Sequence, residues 1–432
     1  MNLAGSLRRL ADGLFFAAGA HARWEIEVAD RVFRSRKRLL VLSGLLLAAV
    51  MPMLVAPAFG ESLPQILGGK RAYAPLEFTP TVLCVSIAIG LAAGLITGCI
   101  GAGGGFVITP ALMSVGVKGI MAVGTDMFHI FAKAIMGASL HKKMGNVSMK
   151  LAACFVAGSV VGVSIAAAIN RALYARSTAL SDAFINIVYV VFLGFLGFYA
   201  LVDFFRWRAR SGRGAPAGPP GDRGGDLPKL AAAAQSLRMF PMVRFDEHVV
   251  PGGKRIWAGL VVLTGFAVGF LAAIMGVGGG FLTFPMFVYG LGVAEKTAVG
   301  TDVFQIVFTA GYGGILEYAV RGYVFYTLAM GLLIGSLVGI QMGAFAAKVV
   351  SPAYIRGFYA TAILAGFFNT ALTLPGKLSS SNILPLPAGL TEALGTAGLV
   401  LFAVMIGVFA LWVIAKFLSN FRKLSEVPRE NS

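Results

Sequence analysis

Long apolar segments, separated by shorter polar ones, run along most of the chain. An α-helix needs about 20 mainly apolar residues to cross the hydrocarbon core of a bilayer. Segments of about that length lie at 39–58, 80–100, 119–141, 149–170, 182–205, 257–275, 297–318, 324–348, 354–373 and 395–418. Two further apolar segments, 104–116 and 279–291, are too short to cross as full helices. The pattern predicts an all-α integral membrane protein that contains two short or broken helices.

The composition agrees with insertion into a membrane. Of the 432 residues, 57% are hydrophobic and 13% are charged, whereas a water-soluble domain carries about 25% charged residues. The formal net charge is +17, but the basic residues cluster in short segments between the apolar spans. This distribution is typical of cytoplasmic loops. We therefore predict the lipid bilayer, and no nucleic acid, as a partner.

The sequence predicts neither a metal site nor a cofactor. Cys84, Cys99 and Cys154 lie in apolar runs without the spacing of metal ligands. The four histidines are too widely scattered to form a metal cluster. The glycine-rich segments lack the preceding soluble strand and the Lys-Ser/Thr pair of a P-loop, so nucleotide binding is not expected.

Polar segments divide the chain into units. The N-terminal segment mixes apolar and basic positions, which predicts an amphipathic helix on the membrane surface, with a partner-binding arm as the alternative. A segment rich in Arg, Pro and Gly separates two apolar halves and predicts a flexible linker. The predicted units are a cytoplasmic arm (1–38), an extra span (39–58), a first repeat (80–205), a cytoplasmic linker (206–256), a second repeat (257–373) and a final span (395–418).

The two halves share an unusual sequence block. Residues 101–110 read GAGGGFVITP and residues 276–285 read GVGGGFLTFP. Downstream, the sequence AVGTD at 122–126 returns at 298–302. The offset is 175 residues at the glycines and 176 residues at the Thr-Asp pair, so the copies differ by a single insertion. The chain therefore contains two repeats.

The charges of the loops predict an inverted relation between these repeats. If each glycine loop and its short helix carry the chain across the membrane, all the basic loops and both termini are cytoplasmic, as the positive-inside rule requires. The loops left outside, 59–79 and 374–394, have a net charge of about zero. Each repeat then has five elements, and an odd number makes the second repeat enter from the opposite side. Secondary transporters use this architecture.

A glycine loop that leads into a helix start suits anion binding. The first N–H groups of a helix are unpaired within it, and the helix dipole favours negative charge there. The alternative is that these glycines only permit close helix packing. The residues predicted to contact an anion are Gly101, Gly103, Gly104, Gly105, Phe106, Thr109, Thr125, Gly276, Gly278, Gly279, Gly280, Phe281, Thr283 and Thr301.

Asp126 and Asp302 are acids within apolar spans. Such acids commonly line an ion or proton path, but Thr-Asp is also a usual N-cap sequence. His129 lies one helical turn after Asp126, and the equivalent position in the second copy is Gln305. We predict proton coupling at Asp126, Asp302 and His129, with a helix cap and a satisfied core histidine as the alternatives. Lys133 follows on the same span.

Three other polar residues lie within or at the end of spans. Glu317 is predicted to lie at a membrane interface. Asn369 and Gln341 are predicted to form hydrogen bonds between helices rather than to contact substrate.

The doubled motif resembles the TauE/SafE family of sulfite exporters, also called DUF81-type membrane proteins. The resemblance rests on Gly94 to Pro110 with Gly124-Thr125-Asp126, and on Gly269 to Pro285 with Gly300-Thr301-Asp302. It implies export of sulfite or a small organosulfur anion across the bacterial inner membrane. The N-terminal arm, the extra span and the long linker depart from shorter members of the family.

These patterns predict a secondary transporter and no catalytic residues. A passive anion channel is one alternative, because a glycine-lined break also suits a pore, but inverted repeats favour alternating access. An intramembrane protease is another, because it could use two aspartates. Each aspartate, however, follows a glycine block that a protease does not need.

Overall fold

The computed structural model describes residues 80–100, 104–143, 145, 147–211, 229–237, 239–246, 253–349 and 352–425. The predicted arm and the extra span at 39–58 lie outside these residues. In chain order the elements are α1 (Pro80–Ile100), α2 (Gly105–Ser114), α3 (Gly119–Lys143), α4 (Met149–Arg176), α5 (Thr178–Ser211), α6 (Lys229–Ser236), β1 (Met242–Phe245), β2 (Lys254–Trp257), α7 (Ala258–Met275), α8 (Gly280–Pro285), α9 (Glu295–Gly311), α10 (Tyr326–Val349), α11 (Pro352–Ser380) and α12 (Ala388–Ser425). Helix α8 continues as π-helical turns over Met286–Gly290, and α9 does so over Tyr312–Ala319.

Every predicted span from residue 80 onward is helical. Among the described helices, seven are long and apolar enough to cross a membrane: α1, α4, α5, α7, α10, α11 and α12. Helices α3 and α9 are not among these seven. Helix α3 is more polar because it contains Asp126, His129 and Lys133, and α9 has only 17 residues before its π-helical turns. The chain is thus a multi-pass, largely α-helical membrane protein.

Helices of the first half pack against helices of the second half in matched pairs. Helix α1 lies along α10 and α4 along α7, while α3 packs on α9 and α5 on α11. Exchanging the two halves leaves this set of contacts unchanged, since α1 corresponds to α7 and α4 to α10. The two repeats therefore interlock into one bundle.

Glycines spaced four residues apart allow the closest of these contacts. Helix α1 has them at 90, 94 and 98, and α10 has them at 331, 335, 339 and 343. A Cβ atom at Gly94 would lie 2.7 Å from the Cα of Ser336. The contact between α4 and α7 uses the same spacing, at 158 and 162 and at 265 and 269. Small residues let the backbones of membrane helices touch, which increases van der Waals contact.

Part of the predicted linker is folded, which corrects the expectation that 206–256 is uniformly flexible. Strands β1 and β2 pair antiparallel with Met242 opposite Trp257, and α6 packs on β2. Apolar side chains of this unit, including Val243, Phe245 and Ile256, are buried in a hydrophobic cluster that also contains residues of α4, α7 and α8, and β1 packs on α4. The prediction of a flexible linker followed from its Pro- and Gly-rich composition. Apolar side chains at alternate positions of the strands are nevertheless buried, and this burial favours folding of the unit.

This folded unit binds the loop between α8 and α9 through polar side chains. The Asp246 carboxylate accepts the Ala294 N–H at 2.7 Å, and the Lys254 ammonium donates to the Gly292 carbonyl at 2.9 Å. The Gln235 amide donates to the Leu291 carbonyl at 2.9 Å. The unit therefore fixes the N-terminal end of α9.

In the first half, membrane helices supply the equivalent contact. The Gly119 N–H at the start of α3 donates to the Asp182 carboxylate of α5 at 2.7 Å. Lys377 of α11 forms an ion pair with Asp182 at 3.0 Å. In each half, an aspartate accompanied by a lysine accepts the N–H at the start of a helix. In the first half, Asp182 and Lys377 belong to membrane helices, whereas in the second half Asp246 and Lys254 belong to the folded unit of the linker.

We expect Gly94→Val to lower the free energy of unfolding by about 1–3 kcal/mol, the usual cost of overpacking. The added side chain would collide with the backbone of α10 near Ser336. Gly407→Ala is the matched control, because a Cβ at Gly407 of α12 would meet no atom within 4 Å. Thermal unfolding in detergent, followed by size-exclusion fluorescence, measures both. Equal stability of the two variants would refute the packing role.

Candidate functional site

The second glycine loop breaks the helical path between α7 and α8. Gly276, Gly278 and Gly279 have φ angles of 80°, 66° and 86°. This left-handed conformation is accessible to glycine because it has no Cβ. Residues 276–279 are buried. The loop therefore ends one helix and begins the next inside the protein.

The first glycine loop lies between α1 and α2. Gly101 and Gly103 lie outside the described residues, whereas Gly104 and Gly105 are buried at the start of α2. The Gly104 carbonyl accepts the Val107 N–H at 3.0 Å, which begins the helix. A Cβ at Gly104 would lie 2.7 Å from the Cβ of Ala93 in α1, so close packing also requires glycine here.

The two copies of the repeated block contact each other. A Cβ at Gly105 would lie 3.0 Å from the Cα of Val277. At Gly276 it would lie 2.8 Å from both Thr109 Oγ1 and the Cα of Val123. The start of α2 therefore packs directly on the second glycine loop, at the contact between the halves.

The remaining predicted residues of the short helices lie nearby. Phe106 is buried in the main hydrophobic core, and Thr109 and Thr283 are fully buried. Phe281 belongs to α8, but its side chain lies outside the described parts of the chain. The first residue of α8, Gly280, lies beside Asp302, because a Cβ there would be 3.6 Å from Asp302 Oδ2.

Beside the first loop, polar side chains form a row that we call the first polar row: Thr109, Asp126, His129 and Ser336. Thr109 Oγ1 donates to Asp126 Oδ2 at 3.1 Å, and His129 Nε2 lies 2.9 Å from Ser336 Oγ. Asp126 Oδ1 and His129 Nδ1 are 3.5 Å apart, and neither forms a hydrogen bond with any described residue. All four residues are buried.

The facing atoms of Asp126 and His129 require a proton between them. A carboxylate oxygen and an unprotonated imidazole nitrogen are both acceptors, so without a proton two lone pairs would face each other. If Ser336 donates to the Leu333 carbonyl, 3.2 Å away, it accepts from His129 Nε2–H, and the shared proton belongs to Asp126. In the other tautomer, His129 Nδ1 carries it. Either tautomer of His129 therefore fits the site when one of the two facing atoms is protonated.

A second polar row lies at the equivalent places after exchange of the two halves, and it consists of Thr283, Asp302, Gln305, Thr309 and Ser159. The Gln305 amide donates to Asp302 Oδ1 at 3.0 Å and to Thr283 Oγ1 at 3.2 Å. Thr309 donates to Gln305 Oε1 at 2.7 Å, and Ser159 lies 2.7 Å from Thr309. In this row a neutral amide replaces the imidazole, so the donors around Asp302 do not titrate.

The helix-cap interpretation of the two aspartates is wrong. Asp126 and Asp302 lie seven residues into α3 and α9, so neither caps the helix that contains it. The Thr125 hydroxyl accepts the Phe325 N–H at 2.9 Å, and the Thr301 hydroxyl accepts the Ser148 N–H at 3.0 Å. Each threonine therefore holds the start of a helix in the opposite half, α10 or α4.

Residues 86–370 match the family described as Sulfite exporter TauE/SafE. The chain belongs to this family. It is 25% identical over 283 residues to the probable membrane transporter protein YjnA of Bacillus subtilis, covering 64% of this chain and 95% of YjnA. It is 23% identical over 302 residues to the probable membrane transporter protein MJ0441 of Methanocaldococcus jannaschii, covering 65% and 92%. No solved structure matches the chain.

The resemblance drawn from the doubled motif is thus confirmed for this TauE/SafE protein. The matched region contains both glycine loops and both polar rows, and it ends before α12. Asn369 confirms its predicted interhelical role, because its amide donates to Ser114 Oγ of α2 at 2.6 Å.

Three residues of the site in this TauE/SafE protein were not predicted from the sequence: Ser159, Ser336 and Tyr189. Ser159 and Ser336 complete the two polar rows, and each follows a glycine in a repeated GSxVG pattern, 158–162 and 335–339. This repeated GSxVG pattern could have identified both serines from the sequence. Tyr189 donates from its hydroxyl to the Met275 carbonyl at the end of α7 and lies beside Asp126. A single tyrosine in an apolar span offered no comparable signal.

We expect Thr301→Val to lower the free energy of unfolding by about 0.5–1.5 kcal/mol, because the partly buried Ser148 N–H would lose its hydrogen-bond acceptor. Thr301→Ser is the matched control, since it keeps the hydroxyl that accepts the Ser148 N–H. Thermal unfolding in detergent compares the two variants with the parent protein. A valine variant as stable as the serine variant would contradict this role.

Proposed function

We propose that this TauE/SafE protein is a secondary transporter that exports sulfite or a related small organosulfur anion across the bacterial inner membrane. The main support is the contact between the start of α2 and the second glycine loop, where a helix start from one half meets the broken helix of the other. Unpaired N–H groups and the helix dipole favour an anion at such a place. The family description supports sulfite as the candidate.

We propose an inverted arrangement of the repeats, with both termini cytoplasmic. Helices α1–α5 and α7–α11 each make five elements, and their matched packing is expected for two repeats of one ancestral unit. The charges of the loops favour opposite orientations. Transporters of this kind bind substrate near the midplane, between broken helices of the two repeats.

Burial favours a carrier over a passive channel. Asp126, Thr109 and Thr283 are 0% exposed and Asp302 is 3% exposed, so solvent does not reach these groups in this conformation. A carrier requires such an occluded state, followed by opening to one side at a time. An intramembrane protease is disfavoured because Asp126 bonds to Thr109 and Asp302 to Gln305, each within its own row.

We further propose that transport is coupled to the proton gradient through Asp126 and His129, whose facing oxygen and nitrogen atoms lie 3.5 Å apart. Among the residues that the structure describes, Lys133 and Tyr189 are further titratable groups that act on this pair. Asp302 has a different role in this proposal. Its carboxylate lies beside the start of α8, where it influences how strongly an anion binds.

Counterflow tests the carrier. In proteoliposomes loaded with unlabelled sulfite, uptake of labelled sulfite should exceed uptake into empty vesicles, because a carrier exchanges substrate across the membrane. A channel would show no such trans-stimulation. Sulfoacetate and chloride, tested in parallel, would separate an organosulfur substrate from a general anion. Absence of counterflow with both sulfur anions would refute the proposal.

His129→Gln tests proton coupling. Gln305 shows that glutamine fits beside an aspartate in the equivalent row, so the variant should fold. We expect its transport to lose its dependence on an imposed pH gradient, because no titratable imidazole remains beside Asp126.

Asp302→Asn is the matched comparison. It should change the KM for the anion while the dependence on the pH gradient remains. The opposite result, with dependence lost in Asp302→Asn and kept in His129→Gln, would transfer the proton-carrying role to the second row.

A further inference from the structure

A second polar cluster, separate from the two rows, surrounds Glu317. This residue, which is predicted to lie at a membrane interface, is 6% exposed within the bundle. Arg171 Nη1 lies 2.6 Å from Glu317 Oε2 and also donates to the Glu317 backbone carbonyl at 3.1 Å. Tyr312 donates from its hydroxyl to Glu317 Oε1 at 3.0 Å, and Arg321 Nε lies 3.7 Å from Oε2. The glutamate is buried because two guanidinium groups and a hydroxyl compensate it.

This donor set would equally suit a small oxyanion. A guanidinium group forms strong charge-assisted hydrogen bonds with a carboxylate and with other oxyanions. Sulfite and sulfonates present oxygen acceptors of similar size to a carboxylate. The Glu317 side chain therefore stands where a transported oxyanion could be bound.

The cluster lies between solvent and the second glycine loop. Arg321 is 51% exposed, whereas Arg171 is 19% exposed. Next to Arg171, the Asn170 amide donates to the Tyr318 hydroxyl at 3.1 Å, and Tyr318 donates to the Ala273 carbonyl at 2.9 Å. Ala273 precedes the glycine loop by three residues. An anion at Arg171 would thus be close to both the loop and the exterior.

Glu317 is carried by an unusual segment. It lies in the π-helical turns Tyr312–Ala319, whereas the corresponding end of α3 is an ordinary α-helix. Inserted π-helical turns are rare and frequently occur at functional sites. A change from π-helical to α-helical turns would rotate Glu317 around the helix axis and release Arg171.

We propose that Arg171, with Tyr312 and Arg321, forms a second binding site for the transported oxyanion, which the Glu317 carboxylate occupies when the anion is absent. This proposal rests on the proposed anion transport. A buried charge without a partner is strongly unfavourable. Arg171 therefore exchanges one negative partner for another, and this exchange lets the anion pass between the glycine loops and the membrane surface.

Glu317→Gln provides the test, with thermal unfolding in detergent as the readout. The variant should be less stable than the parent, because Arg171 loses its charged partner. Sulfite should restore its stability and should bind about tenfold more tightly than it binds the parent, since the competing carboxylate is gone. Chloride at equal ionic strength controls for screening.

The double variant Arg171→Gln with Glu317→Gln keeps the test informative if the single variant does not fold. It removes both charges, so it should fold and show no stabilisation by sulfite beyond that of the parent. Asp182→Asn, in the ion pair with Lys377, is the matched control and should gain no sulfite response.

A purely structural ion pair would give a different pattern. Glu317→Gln would then be destabilised, and sulfite would stabilise it no more than it stabilises the parent, which would overturn the proposal. Failure of the proposed function is distinguishable, because it appears as an absence of sulfite counterflow in the parent protein. Sulfite-specific rescue of Glu317→Gln would support the site even in that case.

Discussion

The arrangement depends on the contact between helix backbones across the two halves. Helices α1 and α10, and likewise α4 and α7, approach so closely that a Cβ at their facing glycines would collide with the partner backbone. In a membrane, where burial from water does not drive helices together, such van der Waals contact is a principal source of association. The same contact places Ser336 beside His129 and Ser159 beside Thr309, because each serine follows an interface glycine. The helix surfaces that pack closely across the two halves therefore also carry polar residues of the two rows.

Interrupted helices inside an apolar environment expose backbone groups that need partners. Side chains from other helices supply many of them here. Thr125 and Thr301 accept N–H groups at the starts of α10 and α4, and Tyr189 and Tyr318 donate to carbonyls at the end of α7. Most of these bonds connect one half to the other. The breaks that create the candidate site are thus stabilised by the contact between the repeats.

The two halves share a scaffold but differ in chemistry. The first row contains an Asp-His pair, whereas the second contains an Asp-Gln pair whose amide is fully engaged. The π-helical turns that carry Glu317 occur in α9, and α3 remains α-helical to its end. The start of α3 is held by Asp182 of a membrane helix, and the end of the loop before α9 by Asp246 of the linker unit. The two halves of the frame therefore carry different polar groups at equivalent places.

The amino-acid sequence by itself determined the spans from residue 80 onward, the repeated block, the glycine break between α7 and α8 and the family, because hydropathy and repetition are local properties of the chain. It also identified Asp126, Asp302 and His129 as unusual, since charged groups are costly in an apolar span. It did not detect the fold of α6, β1 and β2, and it suggested helix caps for aspartates that lie inside helices. Only the tertiary structure decided these points and paired His129 with Ser336. The physical reason is that a buried polar group is specified by its partner, and these partners lie on helices distant in sequence.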